Sequence, residues 1–441
     1  MLSRFHNWQA NFFIVNDLDS WYISRAKKSN LTTLPCKTIW ILTLNTNLQK
    51  TSYSILIAIS VGHLLNDLIQ GIIPSIYPQL EQKFALSMMQ VGIITFCFQL
   101  SASILQPLVG TYTDKYPKPF SQVAGMIFSG LGIVLLANAP NYHSILVAVM
   151  LVGIGSSIFH PESSRVAYLA SGGKRSVAQS IFQIGGNSGS ALAPLLVAWI
   201  VIPNGQRHLL WFLVVVLIGI IVLTYVSLWR RAVGNDLRTK PKAPVEEPNL
   251  SSKQVKVSVL ILLILIFSKF FYMASITSYF QFYTIGRFGL TEVQAQIYLF
   301  YFLIAVALGT LLGGYFGDRF GRRLVIWVSI LGAAPFTLAM PYVNQTFTAI
   351  FIVIIGLILA SAFPAILVYA QELLPKNIGM VSGLFYGFAF GMGGLGSAIL
   401  GFIADQTSIE FVYHICAYLP LIGLIAYFLP KLHDFAIHTD S

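Results

Sequence analysis

The sequence predicts an all-α membrane protein with twelve transmembrane helices, arranged as two related six-helix bundles. Hydrophobic residues make up 56% of the 441 residues, and only 10% are charged. A soluble surface requires far more charge than this. The apolar residues recur in blocks near the roughly 20 residues that cross a bilayer core as a helix. Two loops and their flanking segments also repeat in register along the chain.

The apolar blocks are separated by polar or basic connectors. The predicted spans, numbered 1 to 12, are 53–80, 88–112, 119–138, 143–168, 177–203, 209–229, 257–284, 292–316, 323–342, 347–372, 378–403 and 409–430. The longest polar connector has three prolines and seven basic residues. The expected regions are therefore a cytoplasmic N-terminal extension (1–51), an N-terminal six-helix bundle (52–229), a cytoplasmic linker (230–256), a C-terminal six-helix bundle (257–430) and a cytoplasmic tail (431–441).

The lysine and arginine residues predict the orientation, because basic residues concentrate in cytoplasmic loops. Of the 27, Arg165 and Lys269 fall in the interior of spans, and Arg323 is the first residue of span 9, at its even-numbered loop. Only Lys83, Arg207 and Arg287 lie on the side opposite the linker. All the others lie in the tails, the even-numbered loops and the linker, so both termini are predicted to be cytoplasmic. This scatter over short loops also argues against a nucleic-acid partner.

One loop motif occurs at equivalent positions in the two halves. GTYTDKYPKP follows span 2 and GYFGDRFGRR follows span 8, and their aspartates are 204 residues apart. Duplicated halves are typical of transporters. The residues of this predicted gating motif are Gly110, Asp114, Lys115, Gly314, Asp318, Arg319, Gly321, Arg322 and Arg323.

The repeated motif resembles the loop signature of the major facilitator superfamily. The second copy is complete, whereas the first replaces Gly-Arg-Arg with a proline-containing sequence. In that superfamily the loop latches the two halves together on the cytoplasmic face, as a bistable lock would. The resemblance implies the major facilitator fold and solute transport by alternating access.

Span 1 carries a polar stripe on an otherwise apolar helix. His63, Asn66, Asp67 and Gln70 are spaced i, i+3, i+4 and i+7 and so share one face. An aspartate at a helix centre costs roughly 2.5–3.5 kcal/mol on insertion, so Asp67 must face a cavity or a partner. We predict a proton-coupling role for Asp67, with a paired interhelical contact as the structural alternative.

Spans 4 and 7 hold further charges within the membrane. Glu162 and Arg165 are spaced i, i+3, so they either neutralise each other or form a solute and proton site. In the second case Arg165 would hold an anion, and His160 or Glu162 would exchange protons. Lys269 has no acidic neighbour within a turn. It therefore needs Asp67, Glu162 or an anionic solute as its partner.

Amide and hydroxyl side chains complete the predicted site, with interhelical hydrogen bonding as their alternative role. The predicted proton-coupling residues are Asp67, Glu162 and His160. The predicted substrate-binding residues are His63, Asn66, Arg165, Lys269, Tyr272, Gln183 and Asn187.

The sequence contains none of the common catalytic or cofactor motifs. There is no Walker loop, no GxSxG and no HExxH, and the cysteines Cys36, Cys97 and Cys416 lie far apart. We therefore expect neither an enzyme, nor a cofactor, nor a metal site.

Longer stretches, such as SVGHLLNDLIQGIIPSIYP and GIGSSIFHPESSRVAYLASGG, are similar to a bacterial branch of the superfamily that exports the phosphonate antibiotic fosmidomycin. The similarity runs from about residue 52 to residue 432. It implies proton-coupled efflux of a small anionic drug across the bacterial inner membrane by a monomer. The expected partners are the anionic substrate, protons and the lipid bilayer. An importer or exchanger of a phosphorylated or carboxylated metabolite stays open as the alternative.

Overall fold

The computed structural model describes residues 51–116, 118–172, 175–233, 250–374 and 378–431. Within these ranges the chain is helical and contains no β-strand. Eleven of the described helices are long and apolar enough to cross a membrane, and a twelfth apolar helix, Ser121–Ala137, is shorter. The predicted fold class is confirmed. Nearly all of the predicted N-terminal extension and C-terminal tail, and most of the linker, lie outside the described residues.

The helices follow the predicted spans in order. Their bounds, from span 1 to span 12, are Tyr53–Ser75 followed by Tyr77–Phe84; Met88–Lys115; Ser121–Ala137; Tyr142–Ala170; Arg175–Leu196 with a π-helical end, Val197–Val201; a 3-10 helix, Gln206–Phe212, with Leu213–Val233; Ser252–Phe288; Glu292–Phe320; Arg322–Leu331 with Ala334–Ala339 and Met340–Tyr342; Gln345–Ala360 with Ala362–Leu373; Ile378–Gln406; and Ile409–Cys416 with Leu419–Phe428. Spans 6 and 7 thus extend into both ends of the segment predicted as linker.

Local sequence sets where several spans begin and end. Four helices start with a capping box, in which the cap side chain accepts from the third backbone N–H and that residue bonds back. The capping residues of spans 2, 4, 7 and 8 are Ser87, Asn141, Ser251 and Thr291. Gly321 separates spans 8 and 9 with a φ of 85°, which side-chain-bearing residues rarely adopt.

The two halves pack in equivalent ways. In the first half span 1 packs on span 5, span 2 on span 4, and span 3 on span 6. In the second half spans 7 and 11, 8 and 10, and 9 and 12 repeat this pattern. Across the halves, span 2 lies against span 11 and span 5 against span 8, so a pseudo-twofold relates these two contacts. This is the arrangement expected of a duplicated six-helix unit.

The two ends of the bundle are distinguished by their loops. We call the end with connections 1–2, 3–4, 5–6, 7–8, 9–10 and 11–12 the odd-loop end. The opposite end, which carries the duplicated loop motif, is the even-loop end. The distribution of basic residues predicts that the even-loop end is cytoplasmic.

Candidate functional site

Three ionisable side chains meet around Asp67 in the first half. His63 lies one turn before Asp67 on span 1, and its Nε2 is 3.2 Å from Oδ2 of the carboxylate. His160 comes from span 4, and its Nε2 is 3.7 Å from Oδ1. The two imidazole rings are 5.3 Å apart and nearly perpendicular. We call His63, Asp67 and His160 the histidine–aspartate cluster.

Backbone carbonyls orient both histidines of the cluster. Nδ1 of His63 is 2.8 Å from the carbonyl oxygen of Phe182 on span 5, and the two rings stack at 4.0 Å. Nδ1 of His160 is 2.9 Å from the carbonyl oxygen of Ser156, one turn earlier on span 4. A carbonyl oxygen only accepts, so Nδ1 is the donor in each ring. Both Nε2 atoms therefore face Asp67.

Two amides of the predicted stripe hold the carboxylate of Asp67. Asn66 Nδ2 donates to Oδ1 at 3.0 Å, and Gln70 Nε2 donates to the same oxygen at 2.9 Å. Asn66 is fully buried, whereas the Asp67 side chain keeps 19% exposure. Charge-assisted hydrogen bonds of this kind favour an ionised carboxylate and fix its orientation.

A glycine pair on span 5 permits the close approach that the cluster requires. A Cβ atom built on Gly186 would lie 2.5 Å from Nε2 of His63 and 2.7 Å from Oδ2 of Asp67. One built on Gly185 would lie 2.0 Å from the backbone oxygen of Ser60. Any side chain here would push spans 1 and 5 apart. The sequence IGGN therefore contributes to the cluster through the side chains that it lacks.

Glu162 is not part of this cluster but belongs to a buried ion-pair network. Its Oε2 is 3.0 Å from Nη1 of Arg165, and its Oε1 is 3.3 Å from Nε of Arg230 on span 6. Arg165 Nη1 also donates to the carbonyl oxygen of Thr113 at 3.0 Å. The pairing of Glu162 with Arg165 corresponds to the structural alternative for these two residues, and Arg230 adds a second cation to it. Arg230 was missed because a basic residue at the end of a span looks topogenic.

Lys269 lies buried among aromatic side chains of the second half. Its Nζ is 5.3 Å from the ring centroid of Phe270 and 5.4 Å from that of Phe363, and the residue is 4% exposed. Within the described part of the chain it has neither a hydrogen bond nor an ion pair, so neither Asp67 nor Glu162 serves as its partner. The aromatic faces offset part of the cost of burial.

The other predicted substrate-binding residues lie on spans 5 and 7. Gln183 and Asn187 are half-buried and make no hydrogen bond with the described residues. Tyr272 is buried, and its hydroxyl has no partner among the described atoms. The structure therefore joins His63, Asn66, Asp67 and His160. It separates them from the Glu162 network and does not pair them with Lys269.

Hydrogen bonds join the halves at the odd-loop end. The carboxylate of Asp405 on span 11 accepts from the backbone N–H groups of Met88 and Met89, at 2.7 and 2.8 Å. These are among the N–H groups that a helix N-terminus leaves unpaired. Gln296 Nε2 on span 8 donates to the carbonyl oxygen of Ser75 at 2.5 Å. The first and second halves are thus held together at this end.

The contact between the halves loosens along span 11 toward the even-loop end. A Cβ atom on Gly401 would lie 2.3 Å from the carbonyl oxygen of Met88. Built on Gly387 or Gly391, it would meet no described atom within 4 Å. The described part of the interface is therefore closed at the odd-loop end and wider farther along span 11.

The duplicated motif lies at the even-loop end. Arg319 Nη1 donates to the hydroxyl of Tyr315 at 3.2 Å, and Arg323 Nη2 donates to the carbonyl oxygen of Tyr427 at 2.5 Å. Arg322 pairs with Glu372. Gly110 lies near Pro161, which would be 3.8 Å from a Cβ atom built on it. The remaining predicted motif residues lie outside the residues whose side chains are described: Asp114, Lys115, Gly314 and Asp318.

The twelve apolar helices of the described residues form two equivalent halves with ionisable side chains inside the spans, as in a membrane transport protein. The family model described as Major Facilitator Superfamily matches residues 59–306 and 286–436. The chain therefore belongs to the major facilitator superfamily and is a multi-pass membrane transporter. Its relatives are transporters, so the prediction that it is not an enzyme is confirmed.

The closer resemblance found in the sequence, to the fosmidomycin-exporting branch of the superfamily, is also confirmed. The chain is 58% identical over 386 residues to the fosmidomycin resistance protein of Escherichia coli (strain K12), covering 88% of this chain and 95% of that protein. It is 42% identical over 383 residues to the uncharacterised MFS-type transporter YfnC of Bacillus subtilis (strain 168), covering 86% and 94%. Among solved structures, a bacterial homologue of the human lysosomal transporter Spinster, in an inward-facing and occupied conformation, has a TM-score of 0.67. That match has 16% identity, covers 86% and 96% of the two chains, and shows the fold.

Proposed function

We propose that this transporter exports a small anionic drug of the fosmidomycin type across the bacterial inner membrane by alternating access, driven by inward proton movement. The observation that carries the proposal is the histidine–aspartate cluster, in which a carboxylate and two imidazoles share one partly exposed site inside the membrane. The name of the 58% identical relative supports the choice of drug.

The cluster has the chemistry to hold and release protons. A carboxylate facing two Nε2 lone pairs is unfavourable unless at least one proton lies between them. Asp67, His63 and His160 therefore provide a site whose charge changes when a proton arrives or leaves. Glu162 is already held by Arg165 and Arg230. We therefore assign the main coupling role to Asp67 and a supporting role to the two histidines.

Lys269 is the best candidate to bind the anionic group of the substrate. It is buried and has no acidic partner among the described residues, so a bound anion would balance its positive charge. An ammonium group binds phosphonate oxygens with charge-assisted hydrogen bonds. Tyr272 on the same helix, and Gln183 and Asn187 on span 5, would supply neutral hydrogen-bond groups. Arg165 is the weaker candidate because it already pairs with Glu162 and donates to the carbonyl oxygen of Thr113.

The proposed direction agrees with membrane energetics. Moving one negative charge outward is favoured by about 2.3 kcal/mol per 100 mV of inside-negative potential. Inward movement of a proton adds to that driving force. The orientation proposed here, with both termini and the even-loop end in the cytoplasm, is supported by the basic residues of the even-numbered loops.

Asp67→Asn provides the test of this proposal. Everted membrane vesicles from a pump-deficient host would be loaded by an imposed pH gradient, and accumulation of labelled fosmidomycin would be measured. Wild-type protein is expected to accumulate the drug, and a protonophore is expected to abolish the accumulation. Asp67→Asn should lose the gradient-driven component, because an amide cannot exchange a proton at this pH.

A matched variant separates coupling from general damage. Glu410→Gln makes the same carboxylate-to-amide change at a half-buried residue that has no hydrogen bond or ion pair with the described residues, and it should behave like wild type. Gradient-driven accumulation that survives Asp67→Asn would refute the coupling role. Flux in the opposite direction under the same gradient would instead favour an importer or exchanger of a small phosphorylated or carboxylated metabolite.

A further inference from the structure

The histidine–aspartate cluster also has the composition of a metal site. His63, Asp67 and His160 each offer one ligand atom, and these atoms all lie within 4.8 Å of one another. The sequence predicted no metal site, because His160 is remote from the other two residues in the chain. Only the packing of span 4 against span 1 brings the third ligand to the pair.

The two histidines are already oriented as metal ligands require. Metal-bound histidine usually donates its other ring N–H to a carbonyl or a carboxylate, which fixes the tautomer and the ring orientation. Nδ1 of His63 donates to the carbonyl oxygen of Phe182, and Nδ1 of His160 donates to that of Ser156. In the neutral rings each Nε2 therefore carries a lone pair directed at the centre of the cluster.

The separation of His63 from Asp67 is close to that between two ligands of a tetrahedral site. Zinc–nitrogen bonds of 2.0–2.1 Å place neighbouring ligand atoms about 3.3 Å apart. Nε2 of His63 lies 3.2 Å from Oδ2 of Asp67, which matches this spacing, whereas Nε2 of His160 lies 3.7 Å from the other carboxylate oxygen, Oδ1. Binding one ion through a single oxygen of Asp67 would therefore draw His160 toward the other two ligands.

The cluster leaves a fourth position open on one side. The side chain of His63 is 4% exposed, whereas those of Asp67 and His160 are 19% and 22% exposed. Water or an anionic oxygen can therefore reach the exposed side. Two imidazoles and one carboxylate suit Zn²⁺, Co²⁺, Ni²⁺ or Cu²⁺ better than Mg²⁺ or Ca²⁺, which prefer oxygen ligands.

We propose that His63, Asp67 and His160 form a binding site for one divalent transition-metal ion, with Zn²⁺ as the representative ligand. This inference goes beyond the proposed function, because the metal would bind whether or not the chain couples drug export to protons. One carboxylate oxygen of Asp67 and the Nε2 atoms of both histidines supply three ligand atoms, and solvent supplies the fourth.

Cobalt titration of the purified full-length protein tests the site. The protein would carry an affinity tag without histidine and would be stripped of metal with a chelator in detergent micelles. Co²⁺ should then produce the visible absorption of a four-coordinate ion, saturating at one equivalent per chain, and Zn²⁺ should remove that absorption. His160→Gln and Asp67→Asn should each weaken Co²⁺ binding at least tenfold.

His143→Gln is the matched control, because His143 is exposed and outside the cluster. It should leave the titration unchanged. Absence of the absorption in wild type, or equal binding in wild type, His160→Gln and Asp67→Asn, would overturn the proposal. If one cluster variant does not elute as a monodisperse species, the other decides. Drug accumulation that depends on the proton gradient, without cobalt binding, would reject the metal site and leave the proposed function intact.

Discussion

The two halves of this transporter share a packing pattern but differ in their buried charges. Spans 1–6 hold the histidine–aspartate cluster and the ion pairs of Glu162. Among the described residues of spans 7–12, Lys269 is the one buried charged side chain. A duplicated scaffold therefore constrains how helices pack, but leaves the chemistry of individual positions free. In our proposal the first half handles the proton and the second half holds the anion.

The largest expected effect concerns the stability of the first half. Glu162→Gln would leave Arg230 buried without its carboxylate, and breaking such a pair costs about 3–5 kcal/mol of unfolding free energy. Glu372→Gln in the second half removes a pair whose side chains are 28% and 26% exposed, so it should cost about 1 kcal/mol or less. Equilibrium unfolding of both variants in mixed micelles would measure the difference. Equal destabilisation would show that the contrast between the halves has no energetic consequence.

Substrate affinity should respond mainly to the second half. Lys269→Gln removes the proposed charge-assisted bond to the drug, worth about 1.5–3 kcal/mol, and so should raise the half-saturating drug concentration by about 10–100-fold. Lys256→Gln neutralises an exposed lysine on the same helix and should leave that concentration unchanged. The measurement is concentration-dependent drug flux in vesicles. An unchanged drug affinity in Lys269→Gln would show that the anion does not bind at Lys269 in the second half.

The smallest expected effect concerns the joint between the halves. Asp405→Ala removes the cap on two N–H groups of span 2, which costs about 1 kcal/mol and weakens closure of the odd-loop end. Ser75→Cys, in a background without the three native cysteines, would report this through its rate of labelling by an impermeant maleimide. The rate should rise about fivefold for a loss of this size. Asp405→Asn keeps an oxygen acceptor and should stay near the wild-type rate. Labelling that does not respond to Asp405→Ala would contradict a role for this cap in closing the odd-loop end.

The fold was predictable because its signals are local. Apolar block length sets the number of spans, and the capping residues Ser87 and Thr291 set helix starts through contacts three residues away. The interruptions within spans were not anticipated. Span 10, for example, breaks at Ser361, three residues before Pro364. Hydropathy is averaged over a window longer than such a break, so the hydropathy pattern does not locate the breaks within a span.

The candidate site was predictable only in part. The stripe of His63, Asn66 and Asp67 follows from helical spacing, and the structure brings these three residues together. The i, i+3 pairing of Glu162 and Arg165 also follows from spacing. The contact of Arg230 with Glu162 spans two helices and 68 positions, and it left no local signal.

The amino-acid sequence by itself determined the membrane class, the number and order of spans, the duplication and the residues that cost free energy in lipid. These properties depend on composition and short-range spacing. Only the tertiary structure decided which of the costly residues meet: His160 with Asp67, Arg230 with Glu162, and Lys269 with aromatic rings instead of an acid. Those pairings depend on how distant helices rotate against each other, and close glycine contacts such as that of Gly186 with His63 control that rotation.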